Sequence, residues 1–217
     1  MKSLTPLIQN KAEQLLDDLP RRCELLSAYS ERIPVAVIAH TLGLPTKDVP
    51  KLHKLATQWV NATAVYGNRV ALLRGLRAMW SLHRYFTKHN ELNRHSPGDD
   101  LLSRLVDLQS KYGFSDDVLV AQAILLFVTG HETVQSTIAS GCYLLSRHPD
   151  VVQDTISKST SWKPIVEEIL RFESPAQATM RIATQDTEIA GVAIRKGDSV
   201  VAGLAAANRD PKVFDQP

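Results

Sequence analysis

The chain has 217 residues, of which 44% are hydrophobic, and its 25 basic and 23 acidic residues give a formal net charge of +2. A chain of this length and composition can bury a sizeable core. Its balanced charge does not predict binding to nucleic acid or to an anionic membrane surface, because both need clustered positive charge.

No segment of the sequence predicts export or a membrane span. The longest apolar stretch, 118–128, is short compared with the roughly 20 apolar residues of a transmembrane helix. Residues 1–10 resemble neither a signal peptide nor a transit segment. Cys23 and Cys142 lie in no CxxC or Cys/His cluster of the zinc-binding kind. We therefore expect a cytoplasmic protein with two free thiols.

The first half of the chain, about 1–110, is predicted to be helical. Its apolar residues recur at spacings of three and four over Leu4–Val106, which is the period of an α-helix. Within it, Pro34 opens one helix and Gly43 caps the end of that helix. The stretch 89–100 is rich in Asn, Ser, Pro and Gly, so it predicts a surface loop.

A long helix is predicted over 115–148. Ser115 suits its N-cap, and Asp116 and Asp117 place negative charge in its first turn, where the helix dipole is positive. No proline interrupts the segment before Pro149. About 32 residues at 1.5 Å each would span about 48 Å, so we expect this helix to cross the core.

The last third of the chain combines one more predicted helix with short strands. The helix covers 163–173, with Pro164 in its first turn and Pro175 beyond its end. Short β-prone pieces follow over 179–204, separated by turns such as the one at Gly191. The sequence therefore predicts a mainly α fold with a small β-sheet.

The centre of the long helix carries a glycine and polar groups, which cost free energy inside an apolar helix. Residues 127–133 read Phe-Val-Thr-Gly-His-Glu-Thr. A glycine such as Gly130 costs a helix about 1 kcal/mol relative to Ala, and a buried Glu132 would need partners or a raised pKa. The hydroxyls of Thr129 and Thr133 can bond back to carbonyls one turn earlier. One interpretation is a groove lined by a hydroxyl and an acid; the alternative is a packing notch at Gly130 with Glu132 linked to solvent.

The same segment begins like the motif of zinc proteases. In that motif two histidines one turn apart hold the metal, and a glutamate after the first acts as base. Here His131 and Glu132 match the beginning, but Gln135 stands where the second histidine is needed. This departure removes a ligand and disfavours a metalloprotease.

Two further segments are weak signals when each is taken alone. Glu168 and Arg171 are three residues apart and can meet on one helix face, as exposed pairs often do. In the segment 207–214, Asp210 suits a cap and Pro211 suits the start of a short helix.

The order of these segments resembles the cytochrome P450 family. The resemblance consists of a long helix with a Gly-x-Glu-Thr core, a Glu-x-x-Arg helix, a small sheet and an Ala-Asn-Arg-Asp-Pro segment. Upstream, residues 33–38 and 42–45 resemble the soluble bacterial branch of the family. The similarity covers nearly the whole chain and implies a partial cytochrome P450 fold, one incomplete domain over 1–217.

The resemblance implies a catalytic role for the centre of the long helix. In such enzymes Glu132 and Thr133 would lie beside the haem iron and help to deliver protons to dioxygen, and Gly130 would leave room for the oxygen. Thr129 stands where the family usually has Ala or Gly.

The resemblance also implies roles for residues after the long helix. Glu168 and Arg171 would form a structural pair in the core on the haem side. Arg181 would contact a propionate of haem b, the cofactor of the intact family. A ferredoxin-type redox partner would supply electrons, and one oxygen atom would be inserted into a small organic substrate.

The axial ligand of that haem is expected to be absent from these 217 residues. The sequence has no Phe-x-x-Gly-x-x-x-Cys-x-Gly loop, whose thiolate favours O–O cleavage in the family. Cys142 lies about 13 Å along the long helix from Thr133, and Cys23 lies in the first helical region. We therefore expect a chain truncated at both ends and inactive alone. The alternative function is a non-catalytic helper that binds or activates a partner enzyme.

Overall fold

A computed structural model describes residues 4–64 and 68–217. Contacts between Cα atoms divide the chain into two units, Met1–Gln135 and Ser136–Pro217. The helical stretch predicted over Leu4–Val106 includes residues 65–67, which lie outside the described residues.

Unit 1 is helical throughout most of its described part. Its helices are α1 (Thr5–Asp17), α2 (Arg32–Thr41), α3 (Val49–Ala64), α4 (Arg69–His95), α5 (Leu101–Tyr112) and the first part of α6 (Asp116–Arg147). A π-helical turn at Leu26–Ser30 precedes α2, and a 3-10 turn at Thr46–Asp48 precedes α3. Pro34 lies within the first turn of α2, which begins two residues earlier than predicted.

Two helix boundaries follow directly from the predicted caps. Gly43 follows α2 with a φ of 70°, in the left-handed region that favours glycine. The N–H of Leu44 then donates to the carbonyl of Ala39 at 2.9 Å, which satisfies one of the last carbonyls of the helix. At the start of α6, the Ser115 hydroxyl accepts a hydrogen bond from the N–H of Val118 at 3.3 Å.

The core of unit 1 forms where α2 to α6 pack together. Phe86 of α4 and Phe127 of α6 are fully buried, with ring centroids 6.1 Å apart. Other fully buried side chains of this core are Leu42, Leu52, Ala56, Leu82, Leu102 and Ala123. Burial of a Leu or Phe side chain contributes about 1.5–3 kcal/mol. This cluster therefore fixes the first part of α6 firmly against its neighbours.

The surface loop predicted over 89–100 is wrong for most of its length. Helix α4 continues to His95, and its Asn90 and Asn93 are only 1% and 8% exposed. Positions 86, 90 and 93 are spaced by four and three, so both asparagines lie on the same helix face as the buried Phe86. Packing of that face overrides the low helix propensity of asparagine.

Unit 2 continues α6 and adds two helices before its strands. Helix α7 (Pro149–Ser157) has no counterpart among the predicted elements, whereas α8 (Lys163–Phe172) matches the helix predicted over 163–173. Pro164 lies in the first turn of α8, and the helix ends before Pro175.

The strands of unit 2 form two small antiparallel sheets. Strand β1 (Ala178–Ile182) pairs with β4 (Ser199–Gly203), and β2 (Thr187–Ile189) pairs with β3 (Val192–Ile194). Gly191 turns the chain between β2 and β3 with a φ of 81°. A short helix α9 (Leu204–Ala207) follows. The mainly α fold class with a small β component is confirmed.

Helix α6 is long and apolar enough to cross a bilayer by length and composition alone. Within unit 1, however, its side chains Leu119, Ala123 and Phe127 are fully buried in the core. The core helix of a soluble protein passes the same test, so the length and composition of α6 do not by themselves indicate a membrane span.

Candidate functional site

The central part of α6 presents a row of exposed side chains, Leu125, Thr129 and Thr133. The hydroxyl of Thr129 donates to the carbonyl of Leu125 at 2.8 Å, and that of Thr133 donates to the carbonyl of Thr129 at 3.2 Å. These are the backward hydrogen bonds that the four-residue spacing predicts. The row offers one apolar and two hydroxyl groups on a single helix face.

Glu132 lies beside this row and is half-buried. Burial raises the pKa of its carboxyl, and a smaller electrostatic effect of His53 lowers it. A carboxyl with a raised pKa keeps its proton to a higher pH, which suits a proton donor.

Gly130 faces away from the exposed row and allows α2 to pack closely on α6. A Cβ atom at this position would lie 2.8 Å from Cδ1 and 2.9 Å from Cγ1 of Ile38. The packing-notch interpretation therefore has a direct contact to support it. The role in making room for oxygen stays a prediction.

A network of ionisable side chains lies inside unit 1, next to Glu132. His131 of α6 is fully buried, and its Nδ1 lies 2.6 Å from the carbonyl oxygen of Phe127. Its Nε2 lies 3.3 Å from Nδ1 of His53 on α3. The Nε2 of His53 in turn contacts a carboxylate oxygen of Glu31, which precedes α2.

This network has no local signal in the sequence. His53 lies 78 residues before His131 and 22 residues after Glu31. A histidine inside an apolar helix signals that a buried partner is needed, but not which one. Sequence reasoning treated His131 only as the start of a zinc-protease motif, and it missed His53 and Glu31.

The predicted pair Glu168 and Arg171 is formed on α8. Nε of Arg171 donates to Oε2 of Glu168 at 2.8 Å, and Nη2 donates to Oε1 at 2.7 Å. The side chain of Arg171 is only 14% exposed. This pairing lowers the pKa of the Glu168 carboxyl, chiefly through the hydrogen bond from Arg171.

Arg171 also ties α8 to the end of the chain. Its Nη1 donates to the carbonyl of Asn208 at 2.8 Å, and its Nη2 donates to that of Gln216 at 3.1 Å. The guanidinium carbon lies 4.8 Å from the centroid of the Phe214 ring. These contacts differ from those of an exposed surface pair, because they connect segments more than 35 residues apart.

Arg209 is a second connecting arginine; the sequence singled out its segment but predicted no role for its side chain. Its Nε donates to the carbonyl of Phe172 at 3.1 Å, and its guanidinium lies 4.2 Å from the centre of the Phe172 ring. The adjacent Asp210 accepts a hydrogen bond from the N–H of Lys212 at 2.9 Å, as a capping residue does. The predicted helix after Pro211 is wrong, since a turn forms there instead.

Arg181 is exposed on β1. Its Nη1 donates to the Thr179 hydroxyl at 2.6 Å and to the carbonyl of Met180 at 2.9 Å, both on the same strand. Glu132 and Thr133 lie in unit 1, whereas Arg181 and the α8 pair lie in unit 2. The propionate contact of Arg181 stays a prediction.

The two cysteines are free thiols. Cys23 is exposed, and Cys142 is half-buried, where burial raises the pKa of its thiol. Within 4–64 and 68–217, no group of three or more His, Cys, Asp or Glu side chains is arranged to hold a metal ion.

The family model described as Cytochrome P450 matches residues 77–217. This match covers more than half of the chain and includes α6, the Glu168–Arg171 pair and the Asn208-Arg209 segment. The chain belongs to the cytochrome P450 family. The recognition made from the order of motifs is thereby confirmed.

Individual P450 relatives match over nearly the whole chain. Putative cytochrome P450 140 of Mycobacterium bovis is 33% identical over 227 residues, covering 100% of this chain and 51% of the relative. Vitamin D(3) 25-hydroxylase of Pseudonocardia autotrophica is 35% identical over 222 residues, covering 100% and 53%. The crystal structure of P450BioI with a hexadec-9Z-enoic acid ligated acyl carrier protein gives a TM-score of 0.90 at 31% identity, covering 98% of this chain and 56% of that one. The chain thus spans about half the length of these relatives.

The described residues fit part of the haem site that the P450 family implies. Leu125, Thr129 and Thr133 form an exposed apolar and hydroxyl-bearing face, which suits a flat and largely apolar group. Arg181 is an exposed cation suited to a carboxylate. The half-buried thiol of Cys142 does not suit a thiolate ligand, because burial raises its pKa and so disfavours the thiolate.

Proposed function

We propose that this chain forms the oxygen-activating part of a haem-thiolate monooxygenase. The reaction would insert one atom of O2 into a small organic substrate and release the other as water, consuming two electrons and two protons. The observation that carries the proposal is the centre of α6, where an exposed hydroxyl row adjoins the half-buried Glu132. Membership of the P450 family supports the reaction class.

Bound haem would supply the iron centre at which dioxygen is reduced. Thr133 would hold a hydroxyl on the exposed face, where its hydrogen bond to the Thr129 carbonyl fixes the side chain. Glu132 would hold a proton at its carboxyl, because burial raises its pKa. Leu125 and Gly130 would keep the surroundings apolar and closely packed.

Unit 2 would contribute a rigid frame and a charge. The pair of Glu168 and Arg171 would lock α8 to the Asn208 segment. The guanidinium of Arg181 would bind a propionate of haem b. Each of these roles would be structural or cofactor-binding, and neither residue group would touch the reacting oxygen.

We further propose that the 217 residues alone do not catalyse this reaction. In this family a cysteine thiolate would hold the haem iron and would favour O–O cleavage. Cys23 is exposed, and burial raises the pKa of the thiol of the half-buried Cys142. The ligand would have to come from another segment.

The partners follow from the reaction and from the composition. A ferredoxin-type protein would deliver the electrons. Vitamin D(3) 25-hydroxylase, one of the matching relatives, is named for a small organic substrate, and we expect a substrate of that general class here. The balanced charge and the packing of α6 favour a cytoplasmic protein that binds neither nucleic acid nor membrane.

A chimera tests the proposed function directly. These 217 residues would replace the matching half of the vitamin D(3) 25-hydroxylase, and hydroxylated product would be measured per O2 consumed. Thr133→Val should lower that ratio about 10-fold, because it removes the hydroxyl and keeps the shape. Thr87→Val is the matched control, since Thr87 also donates to a carbonyl one turn back, at 2.9 Å, but on α4. An equal ratio in the two variants would contradict the proposal.

A further inference from the structure

Helix α4 carries a strong local positive charge, although the charge of the whole chain is balanced. Residues 69–90 contain no Asp or Glu. The cations of this stretch are Arg69, Arg74, Arg77, Arg84 and Lys88. All five are exposed, and none of them forms an ion pair with another described residue. This part of α4 therefore presents uncompensated positive charge to solvent.

Large apolar side chains are exposed on the same stretch of α4. Leu73 is 59% exposed and Trp80 is 63% exposed. Val70, Leu72 and Leu76 are also exposed. Apolar groups that cluster on a protein surface commonly mark a binding surface, because covering them removes apolar area from water. The charged stretch thus also offers apolar contact area.

The packing of α4 determines which of its sides is exposed. On the inner side, Gly75 lies against α3, where an added Cβ would clash with the Cβ of Ala62. Phe86 on the same side is fully buried in the core of unit 1. At the start of the helix, the side chain of Asn68 accepts hydrogen bonds from two backbone N–H groups of the first turn, at 3.0 and 3.1 Å. The exposed side therefore belongs to a capped helix that is packed along its opposite side.

Cationic and apolar side chains share one line along the exposed side of α4. At spacings of three and four residues, this line consists of Val70, Leu73, Arg77, Trp80 and Arg84. We call it the α4 seam; it is about 21 Å long. The guanidinium carbon of Arg84 lies 5.2 Å from the centre of the Trp80 ring, as in a cation–π contact. Spacings of three and four residues are those at which one helix packs along another.

The mixed composition of the α4 seam favours one kind of partner. A lipid bilayer would bury Arg77 and Arg84 together with Trp80, and charged groups are costly in hydrocarbon. A second copy of the seam would bring positive charge against positive charge. A nucleic acid would offer phosphates but little apolar surface to cover Leu73. A helix that carries both carboxylates and apolar residues matches both kinds of group in the seam.

We propose that the α4 seam binds an acidic amphipathic helix of a partner protein. Carboxylates of the partner would accept paired hydrogen bonds from Arg77 and Arg84, and its apolar residues would cover Leu73 and Trp80. Trp and Arg are the residue types that contribute most to binding at protein interfaces. The inference concerns the surface of unit 1 and is independent of the oxygen chemistry proposed above.

Two synthetic helical peptides test the proposal. Both have three heptads with Leu at position d, and position a is Glu in one and Lys in the other. Fluorescence anisotropy should show that the Glu peptide binds about 10-fold more tightly than the Lys peptide, both to the 217-residue chain and to the chimera. Raising NaCl from about 0.05 M to about 0.3 M should weaken this binding about 10-fold. Equal binding of the two peptides, or a folded chimera that does not bind the Glu peptide, would overturn the proposal.

A charge-reversed variant separates recognition from folding. Arg77→Glu combined with Arg84→Glu should bind the Lys peptide about 10-fold more tightly than the Glu peptide, a reversal that misfolding would not produce. Lys51→Glu combined with Lys54→Glu is the control, because it changes the net charge equally at exposed positions of α3 and should keep the original preference. Trp80→Ala should weaken binding of the Glu peptide about 10-fold. An unreversed preference in the first variant would overturn the proposal, as would wild-type binding to phosphatidylserine vesicles but not to the Glu peptide.

Discussion

Glu132 is a half-buried carboxyl whose ionisation is disfavoured by burial. Its pKa is raised by burial, so the folded chain binds a proton more tightly than the unfolded chain does. The stability that this contributes is complete below the unfolded pKa, and it is lost as pH rises through the folded pKa. Above the folded pKa the ionised carboxylate therefore destabilises the fold.

Glu132→Gln should consequently raise the free energy of unfolding at pH 7. The gain should shrink towards zero at about pH 4, where the wild-type carboxyl is protonated as well. Urea unfolding at both pH values measures this. Glu91→Gln, at an exposed position on α4, is the control and should give no such pH-dependent gain.

Arg171 was predicted from its three-residue spacing to Glu168, but it also contacts residues far along the chain. Arg171→Lys removes the two-pronged contact with Glu168 and the bonds to Asn208 and Gln216. A lysine cannot form the two parallel hydrogen bonds that the planar guanidinium of arginine makes to a carboxylate. We therefore expect a loss of about 2 kcal/mol in unfolding free energy. Arg104→Lys, at a 49% exposed arginine paired with Asp99, should cost less than about 0.5 kcal/mol. Equal costs for both substitutions would mean that the Arg171 contacts add nothing.

At the residue scale, the sequence alone predicts the interactions between residues three or four positions apart. The backward bonds of Thr129 and Thr133 and the pair on α8 follow from spacings of three and four residues. The partner of His131 could not be predicted, because His53 is 78 residues away and reaches it only through packing of α3 on α6. The roles of Arg209 and Asn208 depend on similar long-range contacts.

At the scale of elements, α2 packs closely on α6 at Gly130. Gly130→Ala would place a methyl group 2.8 Å from Cδ1 of Ile38. We expect a net loss of about 1 kcal/mol in unfolding free energy, since the overlap outweighs the better helix propensity of alanine.

A double substitution isolates that overlap. In an Ile38→Ala background the added methyl would meet only the Cβ of residue 38, at 3.6 Å, which is an ordinary contact. Gly130→Ala should then be neutral or stabilising by up to about 1 kcal/mol. If it is as costly there as in the wild type, close packing on Ile38 is not the reason for the glycine.

Element boundaries were predictable where caps mark them and not elsewhere. Gly43 and Ser115 mark the end of α2 and the start of α6, and both act as predicted. The continuation of α4 through Asn90 and Asn93 has no signal of this kind, because those residues favour turns until one face of the helix is buried. Helix α7 begins at Pro149. In the sequence this proline is equally consistent with a loop that follows α6.

At the scale of the whole molecule, the family follows from the order of several weak signals. The acid and hydroxyl on α6, the pair on α8 and the Asn208-Arg209 segment are each ambiguous alone. Their order matches the P450 family, whose model covers residues 77–217. The division into two units was not predictable, since it depends on contacts and not on sequence pattern.

We propose that this chain takes part in oxygen activation at a haem whose thiolate ligand is supplied by another segment. The most direct measurement is the spectrum of the reduced protein with carbon monoxide, for the chimera and for the 217 residues with added haem. We predict a thiolate-type spectrum for the chimera and none for the 217 residues alone. A thiolate-type spectrum from the 217 residues alone, or a haem-free chimera that is otherwise folded, would contradict this account.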